Sequence, residues 1–390
     1  MNAIPLNPML EATRLTREGR LHEATALLHR ALGGATAPDP PATAWSDTKG
    51  PAATPPRRTI DVDPETGDPV QTPASWMPRP LRALGALAQG PLARAPAPVP
   101  EGARFLRQTI GNMGATRDYK LYIPGGQRSA PMPMLVMLHG CTQSADDFAA
   151  GTRMNALAEE YGLLVVYPEQ SKAANAQKCW NWFSPADQRR DRGEPALIAG
   201  MTRQVMQEHA VDGRRIYVAG LSAGGAAAAI MAQAYPDLYA AVGVHSGLPC
   251  GAARDIPTAF AAMQRGAATQ QQPSGLGAAD AKPLAVPTIV FHADQDRTVH
   301  PSNGDLIAAQ VAAMGAVTVE THAGQVPGGH AYSRTNHLTP TGTSVLEQWL
   351  VHGGGHAWSG GSNLGSYTDP RGPDASREML RFFRQHALPG

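Results

Sequence analysis

Residues 215–232 read RIYVAGLSAGGAAAAIMA, and the reading of this stretch decides the fold. Strand formers (Ile216, Tyr217, Val218) run into Gly220-Leu221-Ser222-Ala223-Gly224, and alanines follow directly. A strand ending at Gly220 that turns at once into a helix beginning near Ala223 leaves Ser222 at the apex, its hydroxyl clear of both elements. Glycine at 220 and 224 removes side chains that would collide with so tight a turn, and alanine carries the helix with little entropy loss. The G-x-S-x-G pattern therefore stands in the strand-turn-helix context that gives it meaning, and Ser222 is the candidate nucleophile.

The flanking sequence supplies matching elements. ARFLRQTIG and RDYKLYIPG alternate in strand fashion, and nearly continuous apolar runs follow: MPMLVMLHG, GLLVVYPE, AAVGVHSG and VPTIVFHAD. Such runs suit strands buried on both faces of a parallel sheet. Between them lie helical candidates, DDFAAGTRMNALAEEYG, EPALIAGMTRQVMQEHA, AGGAAAAIMAQAYP and PSNGDLIAAQVAAMG, and DASREMLRFFRQHAL closes the chain as a capped helix. Alternating strands and helices make right-handed crossovers, so an open α/β sheet with helices on both sides is predicted over residues 104–390.

Two other textures precede it. Residues 1–33 suggest a helical hairpin broken near Gly19, docked on its own protein or anchored on a polymer or lipid surface. Residues 34–103 are rich in Pro and Ala, can bury little, and read as a mostly disordered linker. The amino terminus shows no signal peptide and no stretch reaches membrane-spanning length, so a cytoplasmic protein is expected. A net charge of +1 advertises no nucleic-acid partner. Three cysteines, Cys141, Cys179 and Cys250, form neither a disulfide scaffold nor a zinc pattern.

A serine hydroxyl needs a base oriented by an acid. In this chain order the acid follows the nucleophile and the histidine comes last. VPTIVFHADQDRTVHPSN places Asp294 and Asp296 after a strand; Asp296, further past the strand end, is the preferred acid, and Asp294 a turn cap. VLEQWLVHGGGHAWSGG then offers His356. His352 and His356 have zinc-helix spacing, but Gly353, Gly354 and Gly355 make a helix costly, so neither metal nor cofactor is expected. For the oxyanion, the backbone N–H groups of Ala223 and of Cys141, in the HGCTQ loop after MLVMLHG, are the candidate donors, with His139 bracing that loop.

Taken together, RDYKLYIPGG, LHGCTQSADDFAAGTRMNALAEEYGLLVVYPEQ, CWNWF, GLSAGGAAAAIMA, HSGLP, FHADQDRTVHPSN, GGGHAWSGG and SYTDPRGPDASREMLRFF resemble the poly(3-hydroxybutyrate) depolymerase family of esterases, of the α/β-hydrolase fold. The resemblance implies Ser222, Asp296 and His356 as a triad, the Cys141 amide in the oxyanion hole, and His139, Trp180, Trp182 and Trp358 on the substrate side of the cleft, with plain core filling the alternative for Trp180 and Trp182. Cys179 stands beside these rings, and a bridge to Cys141 would brace the oxyanion loop against the Trp loop; a reducing cytosol disfavours such a bond, and the sequence leaves bridged and free thiols both open.

Unlike secreted members, the sequence shows neither a leader nor a trailing polymer-binding domain, and it looks more like the intracellular depolymerases, or like feruloyl and acetylxylan esterases. The expected substrate is poly(3-hydroxybutyrate) or its oligomers, with soluble esters as the alternative. An inert granule-surface protein binding through residues 1–33 is the rival from another class, and extracellular placement the alternative location. The segment 251–283 reads as a cap over the cleft or as a plain surface loop.

Overall fold

The computed structural model describes residues 99–112, 115–126, 130–267, 286–312 and 318–390. The expected hairpin over 1–33 and most of the expected linker lie outside these residues, as does the segment 268–283 of the expected cap.

A ten-stranded sheet runs β1-β2-β4-β3-β5-β6-β7-β10-β9-β8. Its strands are β1 (Arg104–Asn112), β2 (Ala115–Ile123), β3 (Met132–Leu138), β4 (Leu164–Pro168), β5 (Val211–Leu221), β6 (Ala241–His245), β7 (Thr288–Ala293), β8 (Thr318–Gln325), β9 (Ala331–Leu338) and β10 (Ser344–Val351). The six central strands, β4 to β10 in that order, are parallel. An antiparallel hairpin closes each side, β1–β2 against β4 and β8–β9 against β10. This is the α/β-hydrolase arrangement that the sequence suggested.

The apolar runs form strands because both of their faces are covered. Met134, Val136, Leu138, Ile216 and Val218 face one core, while Leu135, Met137, Tyr217 and Ala219 face the other. The first core is closed by α3 (Gly193–Glu208), α4 (Ala223–Ala234) and α6 (Ser302–Ala312). The second is closed by α1 (Ala145–Thr152), α2 (Met154–Tyr161) and α7 (Ala375–Phe383). A further helix, α5 (Ile256–Arg265), starts on a capping box between Asp255 and Thr258 and occupies the described part of the expected cap.

Two features depart from the sequence reading. The single helical candidate over 145–161 is two helices, because Arg153 adopts a left-handed conformation (φ 55°) between them. The β8–β9 hairpin was not legible as strands: β8 is almost wholly exposed and β9 only half-buried, so neither needs an apolar run.

This topology places the site. The connection that leaves β3 runs to β4 on one side, whereas the one that leaves β5 runs through α4 to β6 on the other. A crevice opens where strand order reverses, at the carboxyl ends of β3 and β5, and ligands of open α/β sheets bind there.

Candidate active site

Ser222 is held in a strained turn. Its φ of 57° and ψ of −120° lie in the left-handed half of backbone space, between the end of β5 and the first residue of α4. Such a backbone costs on the order of 1–3 kcal/mol. It persists because the neighbouring backbone fixes both ends: Ser222 N donates to His245 O at 2.9 Å, and Ala226 N donates to Ser222 O at 2.9 Å. The glycines answer two separate constraints. A Cβ on Gly220 would lie 2.2 Å from Gly224 O, across the turn itself; one on Gly224 would lie 2.1 Å from Leu138 O, on the neighbouring strand β3. The elbow is thus closed against both its own helix and the strand that leads to the oxyanion loop.

Asp296 and His356 meet because β7 and β10 are neighbours in register, with Val351 opposite Ala293. The loops that follow are stitched together, Asp294 N to Val351 O at 3.1 Å and Gln295 N to Gly354 O at 3.2 Å. His356 Nδ1 lies 2.7 Å from Asp296 Oδ2. The other carboxylate oxygen, Oδ1, accepts backbone N–H bonds from Thr298 and Val299, each at 2.9 Å. Buried His292 stands beside Oδ2 at 3.4 Å. Burial on its own would raise the Asp296 carboxyl, but the charge of His356 and the hydrogen bonds from His292 and His356 hold it well below the usual carboxylate range. Asp294 instead accepts from Gly353 N at 2.7 Å and faces His352 Nδ1 at 3.1 Å. The two histidines therefore serve separate carboxylates, in a glycine turn and not on a helix.

Ser222 and His356 line one small pocket with Gly140, Cys141, Leu221 and Tyr367. Ala223, which supplies one candidate oxyanion donor, is the first residue of α4, where a helix presents free N–H groups and positive dipole. Cys141, which supplies the other, sits in a loop pinned on several sides. Gly140 N donates to Gln143 Oε1 at 2.8 Å, and Thr142, itself left-handed at φ 68°, donates its N–H to Gln177 O at 2.7 Å.

Cys141 is also disulfide-bonded to Cys179, the bridge that the sequence left open; Cys250 is the free cysteine. The compartment argument gave way to proximity, since the loop after β3 and the loop carrying Trp180 are packed face to face.

The four residues assigned to the substrate side are corrected. His139 is fully buried: burial pushes its imidazole down to about 4, and the neutral ring accepts from Gln170 N at 3.1 Å through Nε2 while Nδ1 lies 2.7 Å from Gly140 O. It braces the loop, and no face of it is open to substrate. Trp180 and Trp358 are 1% exposed and Trp182 is 6% exposed. Trp180 donates Nε1–H to His139 O at 3.0 Å, and Trp182 packs edge-on against Phe183. Trp358 stacks on His245 and donates to Ser376 Oγ at 3.0 Å. Large rings beside a site are buried here because they fill the space under its loops.

The residue that does line the pocket, Tyr367, was not singled out from the sequence. Its left-handed backbone (φ 53°) and its hydroxyl, 3.2 Å from Thr142 Oγ1, tie the 366–369 segment to the oxyanion loop. Asp147 fastens the same segment, accepting from Ser366 N at 2.9 Å and from Gln143 Nε2 at 2.9 Å. A lone Tyr between turn formers carries no pattern that could have announced this.

Residues 117–329 match the family model described as Esterase PHB depolymerase, a span that holds Ser222 and Asp296 and stops short of His356. The chain is 31% identical over 251 residues to poly(3-hydroxyalkanoate) depolymerase C of Paucimonas lemoignei, which covers 63% of this chain and 59% of that protein. It is also 31% identical over 147 residues to feruloyl esterase B of Thermothelomyces thermophilus, over 37% of this chain and 49% of that protein. The chain thus spans about half the length of the curated relatives it matches. Among solved structures, an acetyl xylan esterase from Aspergillus awamori superposes with a TM-score of 0.54 at 20% identity, covering 72% of this chain and 99% of that one; at this identity the likeness is one of fold.

Proposed function

Starting from the premise that the chain belongs to the Esterase PHB depolymerase family and is a carboxylic ester hydrolase, we propose that it cleaves poly(3-hydroxybutyrate) or its oligomers through Ser222, His356 and Asp296. The observation that carries the catalytic assignment is the convergence of a strained serine elbow and an Asp296-anchored imidazole on one pocket.

In this reading His356 takes the Ser222 proton through Nε2 as the oxygen attacks the ester carbonyl. The carbonyl oxygen becomes the oxyanion, held by the N–H groups of Ala223 and Cys141. His356 then gives its proton to the departing alcohol, leaving an acyl-enzyme on Ser222, and water activated by the same imidazole releases the acid and restores the serine. Asp296 stays ionised throughout, fixing the Nδ1–H tautomer and balancing the imidazolium charge.

The polyester is preferred over soluble esters because the likeness to the polyhydroxyalkanoate depolymerase covers 63% of the chain, against 37% for the feruloyl esterase. The disulfide supports an oxidising compartment, and so the extracellular alternative over the cytoplasmic expectation. Product analysis on amorphous poly(3-hydroxybutyrate), beside feruloyl, acetyl and butyryl esters and with Ser222→Ala as blank, tests the proposal. Soluble 3-hydroxybutyrate oligomers released only by the parent protein are expected; turnover confined to feruloyl or acetyl esters would move the assignment to the soluble-ester reading.

A further inference from the structure

Behind the oxyanion loop lies a buried carboxylate that the chemistry above does not use. Glu194 is the second residue of α3, and an acid at a helix start ordinarily serves the helix dipole. Here that service is done by Asp187, whose Oδ1 accepts from Glu194 N at 2.8 Å. The Glu194 side chain is buried and turns instead toward the segment that backs the oxyanion loop. Oε2 accepts from Asn181 N at 2.7 Å, and Oε1 accepts from Asn181 Nδ2 at 2.8 Å and from Gln170 Nε2. It makes no ion pair among the described residues. A buried charge satisfied only by amide donors is a costly way to fill space, which a neutral side chain would do more cheaply.

What the carboxylate does is orient two amides. The Gln170 amide also donates to Cys179 O at 3.0 Å, and the Gln170 backbone N–H donates to His139 Nε2, the ring whose other nitrogen meets Gly140 O. Asn181 Oδ1 accepts from Asn175 Nδ2 at 2.9 Å, and Asn175 Oδ1 in turn accepts from Gln177 N and Cys179 N. Gln177 O holds Thr142 N, and Cys179 is bonded to Cys141. Three links from the oxyanion loop into this segment, through Gln170, Gln177 and Cys179, therefore lead back to one buried carboxylate, while a fourth runs directly from Trp180 Nε1 to His139 O.

We infer that Glu194 is a positioning residue for the esterase reaction, acting through Gln170 and Asn181 to fix the Cys141 amide where the ester oxyanion develops. The inference rests on the oxyanion assignment proposed above. A glutamine at 194 has the right shape but presents an NH2 where the ionised carboxylate offers only acceptors, so at least one of the three donors is left facing another donor.

The test compares Glu194→Gln and Asn181→Ala with Thr202→Val, a variant on the same helix that loses buried hydrogen bonds to Ile198 O and the Tyr239 hydroxyl but has no link to the loop. With p-nitrophenyl butyrate at pH 8, above the raised range of the Glu194 carboxyl, Glu194→Gln should lower kcat about 10- to 100-fold, as expected for a misplaced oxyanion donor, while KM changes less than about threefold. Affinity for a trifluoromethyl ketone, which forms an oxyanion on the serine, should fall by the same factor as kcat/KM. Asn181→Ala should shift both in the same direction by less, and Thr202→Val should lower the melting temperature with kcat unchanged.

A Glu194→Gln protein that keeps kcat within about twofold, or loses only KM, overturns the inference; if that variant does not fold, an unchanged kcat in Asn181→Ala overturns it. Ser222→Ala runs alongside. Turnover surviving there would sink the triad reading and this inference with it, whereas loss in Ser222→Ala with Glu194→Gln unaffected sinks the inference alone.

Discussion

Replacing Asp296 with asparagine should abolish the proposed esterase activity through the proton on the wrong side of a ring. Two backbone N–H groups, Thr298 and Val299, donate to Oδ1 at 2.9 Å, so an asparagine must keep its carbonyl oxygen there. Its NH2 then takes the place of Oδ2, 2.7 Å from His356 Nδ1. Facing a donor, Nδ1 has to accept, which puts the ring proton on Nε2, the nitrogen that in the proposed mechanism receives the serine proton. The same inversion of tautomer in a serine protease triad lowers kcat by roughly 10⁴, equivalent to about 5 kcal/mol of barrier.

The matched variant is Asp294→Asn. Asp294 is half exposed and holds Gly353 N and His352; an asparagine there can still accept from Gly353, so kcat should stay within about twofold. The assay is kcat on p-nitrophenyl butyrate at pH 8 for both variants, with melting temperatures recorded to separate inactivity from unfolding. A larger loss in Asp294→Asn than in Asp296→Asn, or near-parental turnover in Asp296→Asn, would refute the reasoning.

Two further outcomes concern stability. The Cys141–Cys179 bridge closes a loop with a sequence separation of 38, which chain entropy values at about 4 kcal/mol; Cys141→Ser/Cys179→Ser should lower the unfolding free energy in urea by that order. Protein prepared under oxidising conditions and denatured without reductant should titrate one thiol per chain, Cys250, and three such thiols would show that the bridge is absent. For Glu194, burial outweighs the donated hydrogen bonds and pushes its carboxyl from 4.5 up to about 7. The folded protein therefore binds this proton more tightly than the unfolded chain, so the stabilisation is complete below pH 4.5 and is lost as pH rises through 7. At ~1.4 kcal/mol per pH unit that is about 3 kcal/mol. The stability advantage of the parent over Glu194→Gln should shrink by that order between pH 4.5 and 8, and a difference independent of pH would count against it.

Features legible in the sequence were those written by local rules. The elbow shows in the switch from strand formers to alanines around Ser222, and the steric need for Gly220 and Gly224 is met by atoms a few residues away or on the adjoining strand. The parallel sheet shows in apolar runs, because strands covered on both faces need them. By the same rule β8 and β9, exposed or half-buried, left no such run to read. The break at Arg153 also went unseen, since one left-handed residue leaves the apolar pattern of its neighbours intact.

What remained for the tertiary structure was every pairing between distant segments. Asp294 and Asp296 differ by two positions in one loop, and which of them faces His356 follows from the register of β7 against β10. The aromatic rings of CWNWF and GGGHAWSGG announce bulk but not direction, and packing turned them beneath the loops while bringing Tyr367 to the pocket. Nothing in EPALIAGMTRQVMQEHA sets Glu194 apart, and its contacts with Gln170 and Asn181 exist only once α3 is laid against the segment behind Cys141. The sequence by itself determined which elements form and in what order their chemistry arrives. The fold decided which side chains meet, because a contact across a sheet depends on the position of every strand between its partners.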